Sequence, residues 1–280
     1  MKKVLVPTDF SDNAWDALTY AIRLYDDIPC HFIILNTYQV GASRVSNIKN
    51  KARDTHIYRF LKEDSENELK IINDYLHNNL LNNKHEFETL SQCGSLITSL
   101  KHIVNKENVD IVIMGTAGAT GAKEIFMGSN TIKAIKNIEI CPIISVPEKY
   151  EYKEPEQVAF ATDLKRHFNI IELNCLRELQ LIHNFKIRII HVKEENILDS
   201  IQEKNIESLN QFFLEDSVTF EEILTDTKVA TAINDFVEDQ NINMVCLVNY
   251  EHSFIEKLTH EPIIKKMSFH SSVPLLILPV

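Results

Sequence analysis

The sequence predicts an α/β chain made of two tandem, doubly wound parallel sheets of five strands each. Three observations predict it. Short apolar runs of strand length alternate with amphipathic helical patterns, the mark of parallel β–α–β units. The pattern that runs from Val4 to Pro147 starts again at Val158 and closes at Pro279, an internal duplication of about 140 residues. Turn-forming residues gather at the strand ends, in Pro7-Thr8-Asp9, Asn36-Thr37-Tyr38 and the stretch from Gly115. That is the carboxyl edge at which such sheets hold ligands.

Val4-Leu5-Val6 is the first strand, stopped by Pro7-Thr8-Asp9-Phe10-Ser11, and Ser11 or Asp12 can cap the helix that follows. That helix runs to about Tyr25, with Trp15, Leu18, Ile22 and Tyr25 on one face. Phe32 to Leu35 is the second strand. Gly41 to about Arg53 is basic and Asn-rich, and reads as a loop or flap. A long amphipathic helix over about Asp54 to Leu81 leads to a weaker strand, Glu86 to Leu90, and a helix from about Ser95 to Asn105. The apolar run Ile111 to Met114 is the next strand. Pro142 opens the last one, Ile143 to Val146, which Pro147 stops.

Between those two strands lies the most informative stretch. The chain has six glycines, and four of them fall between positions 115 and 128. Glycine serves where φ must be positive or where a ligand touches backbone. A loop that feeds a helix N-terminus presents free N–H groups and the positive end of the helix dipole, which suits phosphate. Ser129 can cap that helix or donate its hydroxyl to a phosphate oxygen. The spacing Gly115-x2-Gly118-x9-Gly128-Ser129 is neither the Walker A pattern nor the dinucleotide fingerprint. The bland alternative is a glycine-rich turn that holds nothing. Lys123 either reaches a phosphate or is a solvated charge.

Glu148 to Glu156, charged and bounded by Pro147 and Pro155, reads as a linker. The expected division is a first domain over 1–148, the linker over 149–156 and a degenerate second domain over 157–280. In the repeat, Val158 to Asp163 matches Val4 to Asp9, Ile187 to Val192 the second strand, Met244 to Val248 the run ending at Gly115, and Val273 to Pro279 the run ending at Pro147. The first strands are offset by 154 residues and the last by 132, so the second half lacks about 22 residues, best matched to the Gly41–Arg53 region and the helix after it. No glycine follows position 128. Val248 and Glu251 stand near the places of Gly115 and Gly118, and His260-Glu261 near Gly128-Ser129. Carboxylates and bulky residues there argue against nucleotide binding by the second half. The retained Thr162-Asp163 is better explained by turn preference than by a ligand.

Composition narrows the partners. Of 280 residues 44% are hydrophobic and 25% charged, ordinary for a globular chain, and the net charge is −11. That disfavours nucleic acid and anionic membrane as main partners, since both reward basic patches. No apolar run reaches the roughly 18 residues of a membrane span, and the N-terminus goes straight into a strand pattern. Five scattered cysteines without a C-x-x-C suggest buried thiols in a reducing cytoplasm. The 11 histidines show no metal-ligand spacing.

Pro7-Thr8-Asp9-Phe10-Ser11, the Met114–Ser129 loop and the Cys141-Pro142-x4-Pro147 ending together resemble the universal stress protein family over nearly the whole chain. The resemblance implies a Rossmann-like, adenine nucleotide α-hydrolase-like fold and, for the first half, ATP as ligand, with or without Mg2+. By position it implies that Asp9 and Thr37 hold adenosine, Thr37 mainly through its backbone, and that Gly115, Gly118, Gly128, Ser129 and Asn130 hold phosphates and ribose, with Pro7, Thr8 and Met114 also counted among the cofactor-binding residues. Asn130 departs from a commonly apolar position. A turn or cap role competes for Asp9, and a plain strand end for Thr37.

Hydrolysis would need a positioned water, a base and charge stabilisation. No base is identifiable; Glu124 has no evident partner. The leading expectation is therefore a cytoplasmic ATP-binding stress or signalling module with slow hydrolysis at most, acting on an unknown protein partner. The alternative is a nucleotide-independent assembly protein. A nucleotidyl transferase is disfavoured because no Ser-Gly-Gly-x-Asp loop follows the first strand. The run Leu275 to Val280 is expected as an edge strand; paired with the strand before Pro147 it would give an internal pseudo-dimer. A further homodimer and the choice among adenine nucleotides stay open.

Overall fold

The computed structural model describes residues 1–40, 48–80, 84–116, 128–193, 198–213, 217–224, 229–249 and 271–279. The first half contains β1 (Lys2–Thr8), α1 (Asp12–Leu24), β2 (Cys30–Tyr38), α2 (Ile48–Asn79), β3 (His85–Cys93), α3 (Leu96–Glu107), β4 (Ile111–Gly115), α4 (Ser129–Asn137) and β5 (Ile143–Val146). The second contains β6 (Gln157–Ala161), α5 (Ile170–His183), β7 (Lys186–Lys193), α6 (Ser200–Phe212), β8 (Val218–Leu224), α7 (Val229–Asp239), β9 (Met244–Val248) and β10 (Leu275–Leu278).

The strands form one continuous ten-stranded sheet in the order β3-β2-β1-β4-β5-β10-β9-β6-β7-β8. Each five-strand set is parallel, and the two sets meet where β5 and β10 pair antiparallel, Leu276 opposite Ile144. The expected pairing of the run from Leu275 with the strand before Pro147 is met: β10, the edge of its own five-strand set, pairs with β5 across the seam and with β9 on its other side, which gives the internal pseudo-dimer. The exposed edges are β3 and β8. Because β5 and β10 run in opposite directions, the carboxyl ends of the two parallel sets point to opposite edges of the sheet.

Side chains alternate between two apolar layers, as the period of two requires. Val4, Val6, Phe32 and Ile34 face α1 and α2 through Leu18, Leu24, Leu69 and Leu76, and the layer continues to Leu173, Leu176 and Leu209 in the second half. Leu5, Ile33 and Leu35 face the other way, onto Leu100 and Ile103 of α3 and Ile135 of α4, a layer continued by Ile233 and Val237 of α7.

Helix boundaries follow local chemistry. Ser11 caps α1 by accepting from the Ala14 N–H, and Asp12 in the first turn and Arg23 in the last suit the macrodipole. Ser95 caps α3 in the same way, and Asn108 ends it in the left-handed region at φ 50°. The expected loop up to Arg53 is corrected: α2 already begins at Ile48. Lys, Ala and Arg are good helix formers, and a basic, Asn-rich composition does not by itself break a helix. The shortening of the second half falls where expected, since α6 has 13 residues against 32 in α2.

The segment expected as a linker is packed against both halves. Tyr150 and Tyr152 meet the Tyr20 ring edge-on at 6.0 and 5.5 Å. The Lys149 N–H donates to Asp16 at 2.9 Å, and Asn243 Oδ1 accepts from the N–H groups of Glu156 and Gln157. Lys2 of β1 pairs with Glu178 of α5 at 2.5 Å. At the other edge of the seam, Asn249 Nδ2 donates to the Ile135 carbonyl of α4 at 2.9 Å. Removing that donor leaves a part-buried carbonyl short of a partner, so Asn249→Ala is expected to destabilise the chain by about 1 kcal/mol, read as a lowered unfolding midpoint in urea.

His85, at the start of β3, is nearly buried between Phe32 and Phe87. Burial disfavours the imidazolium and holds its pKa below the ordinary 6.5. The unfolded chain therefore takes up this proton first. The stability contributed by the neutral ring is present above about pH 6.5 and is lost as pH falls through the lower folded-state value. Between pH 7 and 5 the Tm of wild type is expected to fall more steeply than that of His85→Phe.

Candidate functional site

The strand registers bring three sequence-distant stretches to one sheet edge. Thr8 is opposite Asn36, and Asn36 Nδ2 donates to the Thr8 carbonyl at 2.8 Å. Extending the Leu5–Val112 register places Thr8 level with Gly115. The crevice lies where the connections leave to opposite faces: β1 continues into α1 on one face, and β4 toward α4 on the other. This is the switch point of a doubly wound sheet. Asp9, Thr37, Gly115, Gly128 and Ser129 all lie at this edge. Gly118, Gly121, Lys123 and Glu124 lie outside the described residues.

The β1 turn is built by its own side chains. Thr8 Oγ1 accepts from the Phe10 N–H at 3.0 Å, and Phe10 sits in the left-handed region at φ 64°. Asp9 Oδ1 accepts from the Ser11 N–H and hydroxyl at 3.2 and 2.6 Å. Asp9 is exposed, so its carboxylate serves the turn while facing solvent at the crevice. Pro7 is buried, Thr8 half-buried, and Thr37 half-buried at the end of β2. Met114 is 4% exposed with its side chain in the core, which leaves only its backbone for a ligand.

Gly115 has an architectural reason of its own. A Cβ at this position would lie 2.4 Å from Asn13 Oδ1 and 2.9 Å from the Asn13 carbonyl oxygen, so the first turn of α1 packs directly on the β4 backbone. Asn13, buried, donates through Nδ2 to the Val146 carbonyl at 3.2 Å and so ties α1 to β5. Thr131 of α4 donates its hydroxyl to the Gly115 carbonyl at 2.9 Å. The Gly128 N–H donates to the Thr116 carbonyl, and the Thr116 N–H to the Val146 carbonyl at 2.9 Å. The two ends of the glycine stretch therefore meet. Asn13 and Thr131 belong to no motif, and nothing in the sequence marks them as parts of the site.

Ser129 does not cap α4. The N-cap is Gly128, which provides no side-chain cap bond, and Ser129 and Asn130 are the first helical residues, both exposed. In α1, α3, α5 and α6 a Ser, Asn or Asp side chain accepts from a first-turn N–H. In α4 these N–H groups and the positive helix end face the crevice without that acceptor, a geometry that attracts an anion.

The second half keeps the turn and packs the amides of α6 against it. Thr162 Oγ1 accepts from the Leu164 N–H at 3.0 Å, Leu164 has φ 59°, and Asp163 Oδ1 accepts from the Lys165 N–H at 3.1 Å. His191 stands where Asn36 stands in the first half and bonds the Thr162 carbonyl at 3.0 Å. Gln202 of α6 donates to the Asp163 carbonyl at 2.9 Å, and Asn205 to the carbonyls of Leu164 and Arg166 at 2.7 and 2.9 Å. Val248 occupies the place of Gly115 by register. Its side chain is tolerated because α5 starts at Ile170, well after Asp163, whereas α1 starts at Asp12, directly after Asp9. Glu251, His260 and Glu261 lie outside the described residues.

Among the described residues no group of three His, Cys, Asp or Glu could hold a metal ion, and no helix is long and apolar enough to cross a membrane. The expectation of uniformly buried thiols is corrected: Cys93 at the end of β3 is exposed and Cys175 half-buried. Burial pushes the thiols of Cys30 and Cys175 up to about 12 and those of Cys141 and Cys246 well above their ordinary range, so all four stay protonated at neutral pH.

A doubly wound parallel sheet with a glycine stretch entering a helix at its switch point defines an α/β protein of the Rossmann-like kind. The chain belongs to the universal stress protein family, whose family model matches residues 1–147. It is 31% identical over 165 residues to a universal stress protein of Methanocaldococcus jannaschii, covering 53% of this chain and 96% of that one. A second universal stress protein of the same organism is 28% identical over 152 residues, covering 52% of this chain and 81% of that one. Among solved structures, a universal stress protein from Archaeoglobus fulgidus covers 99% of this chain and 96% of its own at a TM-score of 0.68 and 15% identity, a likeness of fold.

Proposed function

We propose that the first half binds one adenine nucleotide, ATP, at the β1–β4 crevice, and that the chain acts as a stress-response or signalling module with slow hydrolysis at most. Asp9 and Thr37 hold the adenosine. Gly115, Gly118, Gly128, Ser129 and Asn130 hold phosphates and ribose, with Pro7, Thr8 and Met114 contributing backbone. The observation that carries this reading is the α4 N-terminus, where Gly128 replaces a capping side chain. Its first-turn N–H groups suit phosphate oxygens, and the Asp9 turn and the end of β2 stand at the same sheet edge. When bound, the nucleotide supplies the charge that this helix end lacks. The chain's part is to bind and orient it, since the Asp9 carboxylate at the crevice is engaged by the Ser11 N–H and hydroxyl in building the turn rather than held toward a water. Any Mg2+ would then be held chiefly by phosphate oxygens.

One observation favours the alternative, a nucleotide-independent assembly protein: Gly115 is already required by the Asn13 contact. Equilibrium dialysis with labelled ATP separates the two. Saturable ATP binding is expected. A chain that binds no ATP at millimolar concentration would leave the assembly reading. The proposed division is a nucleotide-binding half over 1–148, a joining segment over 149–156 and a non-binding half over 157–280.

A further inference from the structure

The long helix α2 carries more than its packing requires. Its inward stripe is Ser65, Leu69, Ile72 and Leu76, with Ser65, Leu69 and Leu76 each 2% exposed. Ser65 Oγ lies 2.7 Å from Ser91 Oγ, and Ser91 is opposite Asn36, so residue 65 is level with the carboxyl edge of the sheet. Residues 48–64 project beyond that edge, about 25 Å of helix. Within this projection Thr55 to Phe60 are all exposed.

Tyr58 lies two turns before Ser65 on the same stripe, so it stands beyond the sheet edge on the face of the helix that turns toward β2 and β3. Its ring lies 6.0 Å from that of Tyr38, the last residue of β2 and the neighbour of Thr37. Burial, together with a hydrogen bond that its hydroxyl donates to Tyr58, pushes the Tyr38 phenol up to about 12. Tyr58 remains 39% exposed despite this contact. The second half shows what the corresponding helix faces. There Gln202 and Asn205, in the first turns of α6, reach the backbone of the turn from Asp163 to Arg166. In the second half the helix after the second strand thus reaches the turn after the first strand through its amides, whereas in the first half the corresponding helix presents an aromatic ring beside the end of β2.

We propose that the projecting turns of α2 form the base-side wall of the first-half crevice, with the Tyr58 ring, steadied by Tyr38, as the surface on which an aromatic purine base lies. The proposal rests on the nucleotide reading above and deepens it by assigning the base contact to a residue outside the Gly-x2-Gly-x9-Gly pattern. A flat aromatic ring offers stacking to a base without reading its edges, so this contact gives affinity for purines while the strand-end backbone near Thr37 gives selectivity.

Calorimetric titration of the full chain with ATP tests it, on wild type, Tyr58→Ala and Tyr58→Phe, each with its Tm. Tyr58→Ala is expected to weaken ATP about tenfold at unchanged Tm, and Tyr58→Phe to stay within about twofold of wild type. Unchanged ATP affinity in Tyr58→Ala would overturn the proposal and leave the nucleotide reading intact. So would an equal loss in Tyr58→Phe, which assigns the effect to the hydroxyl, or a loss accompanied by a fall in Tm, which assigns it to packing. A wild-type chain that binds no ATP would overturn the nucleotide reading and this one with it.

Discussion

Gly128→Glu is expected to abolish nucleotide retention while leaving the fold intact. Gly128 has φ −56° and ψ 149°, a conformation open to any L-residue, so no backbone strain follows from the change. An acidic residue at a helix N-terminus is itself stabilising by about 0.3–1 kcal/mol, and the Tm should hold or rise slightly. The carboxylate would take up the first-turn N–H groups of α4 and repel phosphate in the space they face. Like-charge opposition at a desolvated contact costs several kcal/mol, so ATP affinity should fall by at least about a hundredfold. Binding calorimetry beside a thermal melt reads both. A binding loss matched by a collapse of Tm would show the glycine to be structural.

Gly115→Ala should do the reverse, striking stability first. The added methyl would lie 2.4 Å from Asn13 Oδ1, 2.7 Å from its Cγ and 2.9 Å from its backbone oxygen. A side-chain amide can rotate away, but a backbone carbonyl inside the first turn of α1 cannot. The helix must lift from β4, straining the Asn13–Val146 hydrogen bond and displacing the Asp9 turn that precedes the helix. Overpacking of this kind costs about 1–3 kcal/mol, a Tm loss of several degrees for a chain of this size. Asn13→Ala,Gly115→Ala should recover little, because the backbone oxygen remains. A Gly115→Ala chain as stable as wild type would leave ligand approach as the reason for the glycine.

The contrast between these two glycines marks what was legible in the sequence. Both belong to one spacing pattern, which resembles a family and identifies a strand–loop–helix unit. Nothing in the spacing distinguishes a glycine pressed against Asn13 from one that caps α4, because the difference lies in a helix about 100 residues away in the chain. The repeat was legible because Thr8-Asp9 and Thr162-Asp163 encode the same turn, down to a non-glycine residue at positive φ in each half. The start of α2 was not, since Ile48 to Arg53 has helix-forming residues but no apolar stripe, and stripes were what identified helices. Ser129 looked like a cap because a Ser follows a loop, yet the helix starts one residue earlier relative to it than the pattern suggests. The burial of Gln202 and Asn205 against the second turn is likewise hidden, as two polar residues in an amphipathic helix read as its solvent face. The proposal that the second half binds no nucleotide rests on the absent glycines, and these amides against the turn are a second physical argument for it.

The proposed asymmetry between a first half that binds nucleotide and a second half that does not is tested most directly by stoichiometry. The full chain would be saturated with ATP, freed of unbound ligand, denatured, and the released nucleotide counted against protein by mass spectrometry. One nucleotide per chain is expected for wild type and none for Gly128→Glu. Two per chain would contradict a non-binding second half, and none in wild type would contradict the site itself.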